Sequence, residues 1–371
     1  MCQRSCAWGR NVHYPSAKTA RMFRRVSIVP KQGHKTLSPI CLVAALLSEL
    51  RAPFPYFGGK RRIAASVWAA LGEPKHYIEP FFGSGAVLLA RPDYQQGVHV
   101  ETVVDKDGYV ANVWRALQSD PDAVAKVCDW PVNHADLSAR KRRLLAEGDA
   151  LLQRLIVDES YYDTTLAGYW IWAASCWIGS GLMKLGQIPH VGHGGQGVHA
   201  LGQIPHLGDG GEGVHRLGQR AELTQESEVQ APYNITIYSW FRALSERLRY
   251  VRVVCGDWTR VCGGNWQDGM GTVGIFFDPP YGVTDRTQQI YEVDSQTVAG
   301  EVARWALERG VKPSYRIVLA GYYEEHEWLL EHGWRVQRWK GHGGYGNLGN
   351  GQGKRNRERE TLFFSPYCLA A

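Results

Sequence analysis

The chain has 371 residues, enough for one large domain or two modest ones, and its 44% hydrophobic content is ordinary for a globular protein. The net charge is +6, yet residues 1–48 carry eight basic side chains and no acid, which leaves the remainder near −2 and excludes a uniformly basic nucleic-acid-binding body. The eight cysteines form no Cys-x-x-Cys pair and no Cys/His cluster, which argues against a zinc site and points to a reducing compartment.

Residues 1–50 read as a basic, disordered extension. An α/β rhythm starts at residue 51. Ile63, Val67, Trp68 and Leu71 share one face of a helix predicted over Arg61–Leu71. A strand over His76–Glu79 leads into a Gly83-Ser84-Gly85 turn, a helix from Ala86 to Ala90, a strand over His99–Val104 and a helix over Tyr109–Leu117. Between about 120 and 250 the rhythm breaks. Arg140-Lys141-Arg142-Arg143 reads as a solvated helix face, and Thr164–Met183 is an uncharged aromatic stretch, expected as a buried helix rather than a membrane span. Residues 185–200 recur as 201–216 with 12 of 16 positions identical, too few copies for a solenoid and too rich in Gly and Pro for helix. The rhythm resumes with a helix over Ser239–Leu248 and strands over Val251–Val254 and Val273–Phe277. It continues with a helix over Gln296–Arg309, a strand over Arg316–Leu319 and a helix over Glu324–His332, then closes with strands over Trp334–Trp339 and Thr361–Phe364.

Four segments carry chemistry. Asp278-Pro279-Pro280-Tyr281 follows an apolar strand, where open α/β sheets place their ligands. The turn offers a carboxylate, carbonyls that no ladder uses and a flat ring, a set suited to an exocyclic amine on a planar base. Its bland alternative is a proline-stopped strand with a surface Tyr. Tyr77-Ile78-Glu79-Pro80-Phe81-Phe82-Gly83-Ser84-Gly85 takes a strand through a Gly turn into a helix, where a ligand can approach the main chain. Leu88 fills the third glycine position of a dinucleotide fingerprint, which counts against that motif. Asp105 ends the next strand, where an acid accepts from ribose hydroxyls, while Asp107 is placed to cap the following helix. Phe54-Pro55-Tyr56-Phe57-Gly58-Gly59-Lys60 precedes the first helix without forming a phosphate loop.

Phe-x-x-x-Gly-Gly-Lys, then Glu-Pro-Phe-Phe-Gly-Ser-Gly, then Asp-Pro-Pro-Tyr, in that order, resembles the DNA adenine N6-methyltransferases of the Dam type (the D12 class, α group). The resemblance covers residues 51–120 and 233–368. It implies a Rossmann-like α/β sheet that uses S-adenosylmethionine, with a catalytic domain over 51–125 and 233–371 and an inserted target-recognition region over 126–232. In the roles it implies, Tyr56, Lys60, Glu79, Phe82, Gly83, Gly85, Asp105, Asp257 and Trp258 hold the cofactor. Asp278, Pro279, Pro280 and Tyr281 hold the target base, beneath a loop over 282–294. Methyl transfer to adenine N6 in duplex DNA is the expected reaction. Methylation of cytosine N4, methylation of a protein glutamine amide, and a catalytically silent DNA-binding homologue are the alternatives. Double-stranded DNA is the expected partner and a restriction nuclease the partner its class allows. A monomer without membrane attachment is expected in a bacterial cytoplasm or nucleoid, whether host- or phage-encoded.

The repeat departs from the compact family pattern, and Asp105-Lys106-Asp107 stands where the family has Asp-x-Asn. In and around the insert, Gln187, Gln203, Arg216, Arg220 and Arg286 are the candidate DNA contacts, since amide side chains read adenine and Arg reads guanine. His190, His193, His199, His206 and His215 are read as residues of a flexible polar loop rather than metal ligands, because only His190-x-x-His193 has ligand spacing and its second-copy counterpart is Asp209.

Overall fold

The structure is a computed structural model and describes residues 50–56, 60–92, 94–177, 182–183, 237–281, 298–339 and 359–370. The basic segment, the duplicated repeat with its histidines, the loop after Tyr281, and Gln187, Gln203, Arg216, Arg220 and Arg286 lie outside those residues.

Seven strands form one sheet: β1 (His76–Glu79), β2 (Val100–Asp105), β3 (Val251–Cys255), β4 (Val273–Phe277), β5 (Tyr315–Tyr322), β6 (Arg335–Arg338) and β7 (Glu360–Phe364). Their order is β3-β2-β1-β4-β5-β7-β6. β1 to β5 are mutually parallel, and β7 lies antiparallel between β5 and β6. The chain builds outward from β1 in one direction and from β4 in the other. That reversal opens a crevice at the carboxyl ends of β1 and β4, where such sheets bind ligands. The fold is α/β with a mixed, mostly parallel sheet, compatible with a Rossmann-like architecture.

The helices are α1 (Ala64–Leu71), α2 (Ala86–Leu89), α3 (Gly108–Ser119), α4 (Pro121–Cys128), α5 (His134–Val157), α6 (Thr164–Cys176), α7 (Ile237–Leu248), α8 (Thr259–Cys262), α9 (Val298–Gly310) and α10 (Tyr323–His326). Glu327–His332 continues α10 as a 3-10 segment, where one helix was expected. Period-2 alternation divides each central strand between two cores. Tyr77, Val103, Phe276 and Val318 face α1 and α3 to α7. Ile78, Val104, Ile275, Phe277 and Leu319 face α8 and α9. β4 is buried at all five positions, as its unbroken apolar run requires.

Side-chain caps start the helices after β2. Asp107 accepts from the N–H groups of Tyr109 and Val110, Asp120 from Ala123, Asn133 from Asp136, and Asp163 from Leu166. Each such cap contributes about 1 kcal/mol. Asp107 thus caps α3, as the sequence implied.

The region expected to break the α/β rhythm begins as helix, and α5 and α6 share the α3 core through Leu144, Leu151, Ile171 and Trp172. The basic run is divided rather than solvated. Arg140 and Lys141 are buried, while Arg142 and Arg143 are exposed. Four consecutive residues circle a full helical turn, so a helix packed on one side must turn part of such a run inward. Thr164–Cys176 is the buried aromatic helix expected there. Among the described residues, no helix is long and apolar enough to cross a membrane.

Near the amino end of β2, Glu101 joins two buried arginines. Its Oε1 is 2.9 Å from Arg91 Nη1, and its Oε2 is 2.6 Å from Arg247 Nη1. Arg247 also donates to the Leu88 carbonyl and Arg91 to that of Pro74, so the trio ties α7 to the end of α2 and the entry to β1.

Candidate active site

β4 delivers Asp278 to the crevice, and two prolines end the ladder there. Lys60 enters from the turn ahead of α1, and its Nζ lies 3.0 Å from Asp278 Oδ2. The Tyr281 hydroxyl donates to Asp278 Oδ1 at 3.2 Å. The Tyr281 ring centroid is 5.3 Å from Lys60 Nζ and 4.7 Å from that of Tyr322. Tyr281 is only 5% exposed, so its ring is a packed wall and not a surface side chain. Pro279 is buried and Pro280 half-buried.

The glycine turn closes against the end of β2. Phe82 N–H donates to the Val104 carbonyl at 2.9 Å, and Gly83 N–H to Asp105 Oδ2 at 2.7 Å. Gly83 has φ +47° and Gly85 φ +60°, a region that non-glycine residues enter at a cost. A Cβ on Gly83 would meet the Tyr56 ring at 2.5 Å, so Tyr56 lies directly over the turn. Trp114 Nε1–H donates to the Gly83 carbonyl at 2.8 Å, and Phe82 packs on Trp114 with centroids 5.2 Å apart.

Asp105 and Glu79 are both carboxyls at strand ends, yet they sit differently. Half-buried Asp105 also accepts from Asp107 N–H, at 2.9 Å. Burial, then the nearby Asp107 charge, lifts its pKa to about 7. Glu79 is 3% exposed and lies beneath the turn, where its Oε2 accepts from Tyr77 Oη–H at 2.9 Å and Leu88 N–H at 3.2 Å. Burial pushes its pKa well up, with the Asp278 charge adding to that rise. Glu79 therefore braces the start of α2 from inside.

Asp257 follows β3, and its Oδ1 accepts from Thr259 N–H and Oγ1–H at 3.1 and 2.8 Å. Its Oδ2 is 3.9 Å from Lys106 Nζ at an exposed rim. Trp258 turns into the second core, against Phe277 and Trp305.

The fold thus brings Lys60, Asp278 and Tyr281 together, and separately Tyr56, Gly83 and Asp105. The two groups adjoin across the β1–β4 reversal, where Phe81 and Phe277 pack at 6.4 Å. Tyr322, Trp114 and Trp339, whose ring centroid is 6.0 Å from Lys60 Nζ, escape sequence reasoning. Only Tyr322, at a strand's carboxyl end, carries a signal that can flag it. Among the described residues, no group of three His, Cys, Asp or Glu side chains converges as metal ligands. Comparison with models of known protein families gives no match, and no curated protein matches the chain.

Proposed function

We propose that the chain is an S-adenosylmethionine-dependent DNA methyltransferase acting on the N6 amine of an adenine turned out of the duplex. The observation that carries this reading is the meeting of Asp278, Lys60 and Tyr281 at the carboxyl end of β4, adjoining the turn where Gly83 meets Asp105. The order of the three motifs in the sequence supports it. So does the strand reversal between β1 and β4, which favours a nucleotide-like ligand in that crevice.

The cofactor-side residues fit such a ligand. Asp105 offers a half-buried carboxylate to ribose hydroxyls, and Gly83 bare main chain under the Tyr56 ring. Lys60 offers a cation to a carboxylate, and Asp257 an exposed acceptor at the rim. Bound S-adenosylmethionine supplies a methyl group activated on a sulfonium.

The chain supplies position and electrostatics. The lone pair of an exocyclic amine is delocalised into its ring. When Asp278 and the Pro279 carbonyl accept from the two amine protons, the nitrogen is drawn toward tetrahedral geometry and its lone pair is exposed. Once Lys60 leaves the Tyr281 ring, that ring can stack on the extruded base, offsetting part of an unstacking cost of a few kcal/mol.

Nucleoside mass analysis of DNA from cells expressing the chain tests the reading. N6-methyladenine is expected with the native chain, and at least roughly a hundredfold less with Asp278→Ala, which should still bind S-adenosylmethionine. N4-methylcytosine instead would reassign the target base. A native chain that binds no S-adenosylmethionine and leaves DNA unmodified would sink the assignment.

A further inference from the structure

A pocket of about 580 Å³ lies between α4, α5 and α6 and contains no residue of the candidate active site. That volume suits a small ligand. Lys126, Arg140 and Arg143 line it, with Trp130, Tyr169 and the Thr164–Thr165 start of α6. Arg140 is the informative member. It is 8% exposed, and its guanidinium lies 4.4 Å from the Trp172 centroid, 4.6 Å from that of Tyr169 and 5.1 Å from that of Trp130. Its Nη1 donates to the Val127 carbonyl at 3.2 Å. Among the described residues no carboxylate lies within ion-pair distance of Arg140; Asp136 acts on it from farther off, and its close contacts are the three rings and the Val127 carbonyl.

The lining contains one carboxylate, Asp136, and it is already engaged. Its Oδ2 accepts from Trp130 Nε1–H at 2.6 Å and from Asn133 Nδ2–H at 2.5 Å. Arg143 is held by Glu147 at 2.7 Å on the exposed side. The first turn of α6 is capped by its own carboxylate, since Asp163 Oδ1 accepts from Leu166 N–H at 2.8 Å, so the cationic side chains and not the helix start are the anion-binding groups of the pocket. Trp130 is 48% exposed, so a ring face is open to a planar group.

We propose that this pocket binds a phosphate ester. Lys126, Arg140 and Arg143 hold the anion, and Trp130 covers the base or sugar attached to it. The shared chemistry fits either a free nucleotide or a backbone phosphate of a nucleic-acid strand, and the site does not depend on the methyl-transfer reading.

Calorimetric titration of the full chain at fixed ionic strength tests the site, using inorganic phosphate, deoxyadenosine monophosphate and a short blunt DNA duplex as separate probes. Binding is expected to weaken by roughly tenfold or more when Lys126→Ala and Arg143→Ala, both exposed positions, are combined. Trp130→Leu should remove any advantage of the nucleotide over inorganic phosphate. Duplex binding that falls in the double variant with a shallower salt dependence assigns the phosphate to a nucleic-acid backbone. Nucleotide binding that falls in the double variant and is not competed by duplex assigns it to a free nucleotide. No binding of any probe, or binding unchanged in a double variant that melts like the native chain, overturns the site.

Discussion

Lys60 and Asp278 neutralise each other across the mouth of the crevice, with Lys60 Nζ 3.0 Å from Asp278 Oδ2 and the Tyr281 hydroxyl on the other oxygen. Both oxygens of the carboxylate proposed to receive one amine proton are therefore engaged within the fold. Binding of that amine requires an exchange of partners, and a cofactor carboxylate is the anion suited to draw Lys60 away.

Entry of the target base should accordingly depend on cofactor. In a duplex carrying 2-aminopurine at the target position, fluorescence should rise when S-adenosylhomocysteine is added to the native chain. In Lys60→Met the analogue should bind roughly tenfold more weakly, and the rise should no longer require it. A variant with unchanged dependence would show that Lys60 does not govern access.

Asp105 predicts a pH dependence. Its pKa is raised to about 7, chiefly by burial, and its ionised form accepts from a ribose hydroxyl more strongly than its protonated form. Cofactor affinity should rise between about pH 6 and pH 8, and Asp105→Asn should flatten that profile. Stability moves the opposite way. The folded state keeps a proton that the unfolded chain has lost above about pH 4, so this group's stabilising contribution to the unliganded fold is lost as pH rises toward 7. Melting of the native chain relative to Asp105→Asn, followed across that range, checks the sign.

Glu101 predicts a large loss of stability. Glu101→Leu leaves Arg91 and Arg247 buried without their carboxylate and should cost about 3–5 kcal/mol in urea unfolding. Replacing all three by apolar residues of similar volume should recover most of that loss. If the single variant is as stable as the native chain, the trio is not a desolvated ion pair.

Two glycines separate backbone strain from crowding. Gly83 and Gly97 both have positive φ, but a Cβ on Gly83 meets Tyr56 at 2.5 Å while one on Gly97 meets nothing within 4 Å. Alanine at either position should cost about 1–2 kcal/mol of backbone energy. Only Gly83→Ala should also weaken cofactor binding, which equilibrium dialysis would detect.

The strands were legible because apolar alternation and glycine or proline punctuation are local signals. Val273–Phe277 has the bounds its five apolar residues imply, and Asp107 caps α3 as its offset from Asp105 implies. The motif residues were legible as types, but not in their partners. Nothing local places Lys60 on Asp278, 218 positions away (278 − 60), or turns Trp258 into the core while Asp257 stays at the rim. The helix α4 and most of α5, of which only a helix face at residues 140–143 was legible, were missed because their apolar stripes are interrupted by charge. Arg140, held among three aromatic rings, supplies cover that a hydropathy pattern scores as solvent-exposed.

β2 and β3 pair side by side, with Val103 opposite Val253, 150 residues later in the chain (253 − 103). During synthesis at about 5–20 residues per second, β2 therefore waits on the order of ten seconds for its neighbour. Throughout that interval its outer edge presents unpaired main chain in a newly made polypeptide, a template for mispairing with other chains. Whatever lengthens the segment between these strands, as duplication of residues 185–200 has done, prolongs the exposure. Yield on expression should therefore respond to the length of that segment independently of any part it has in recognition.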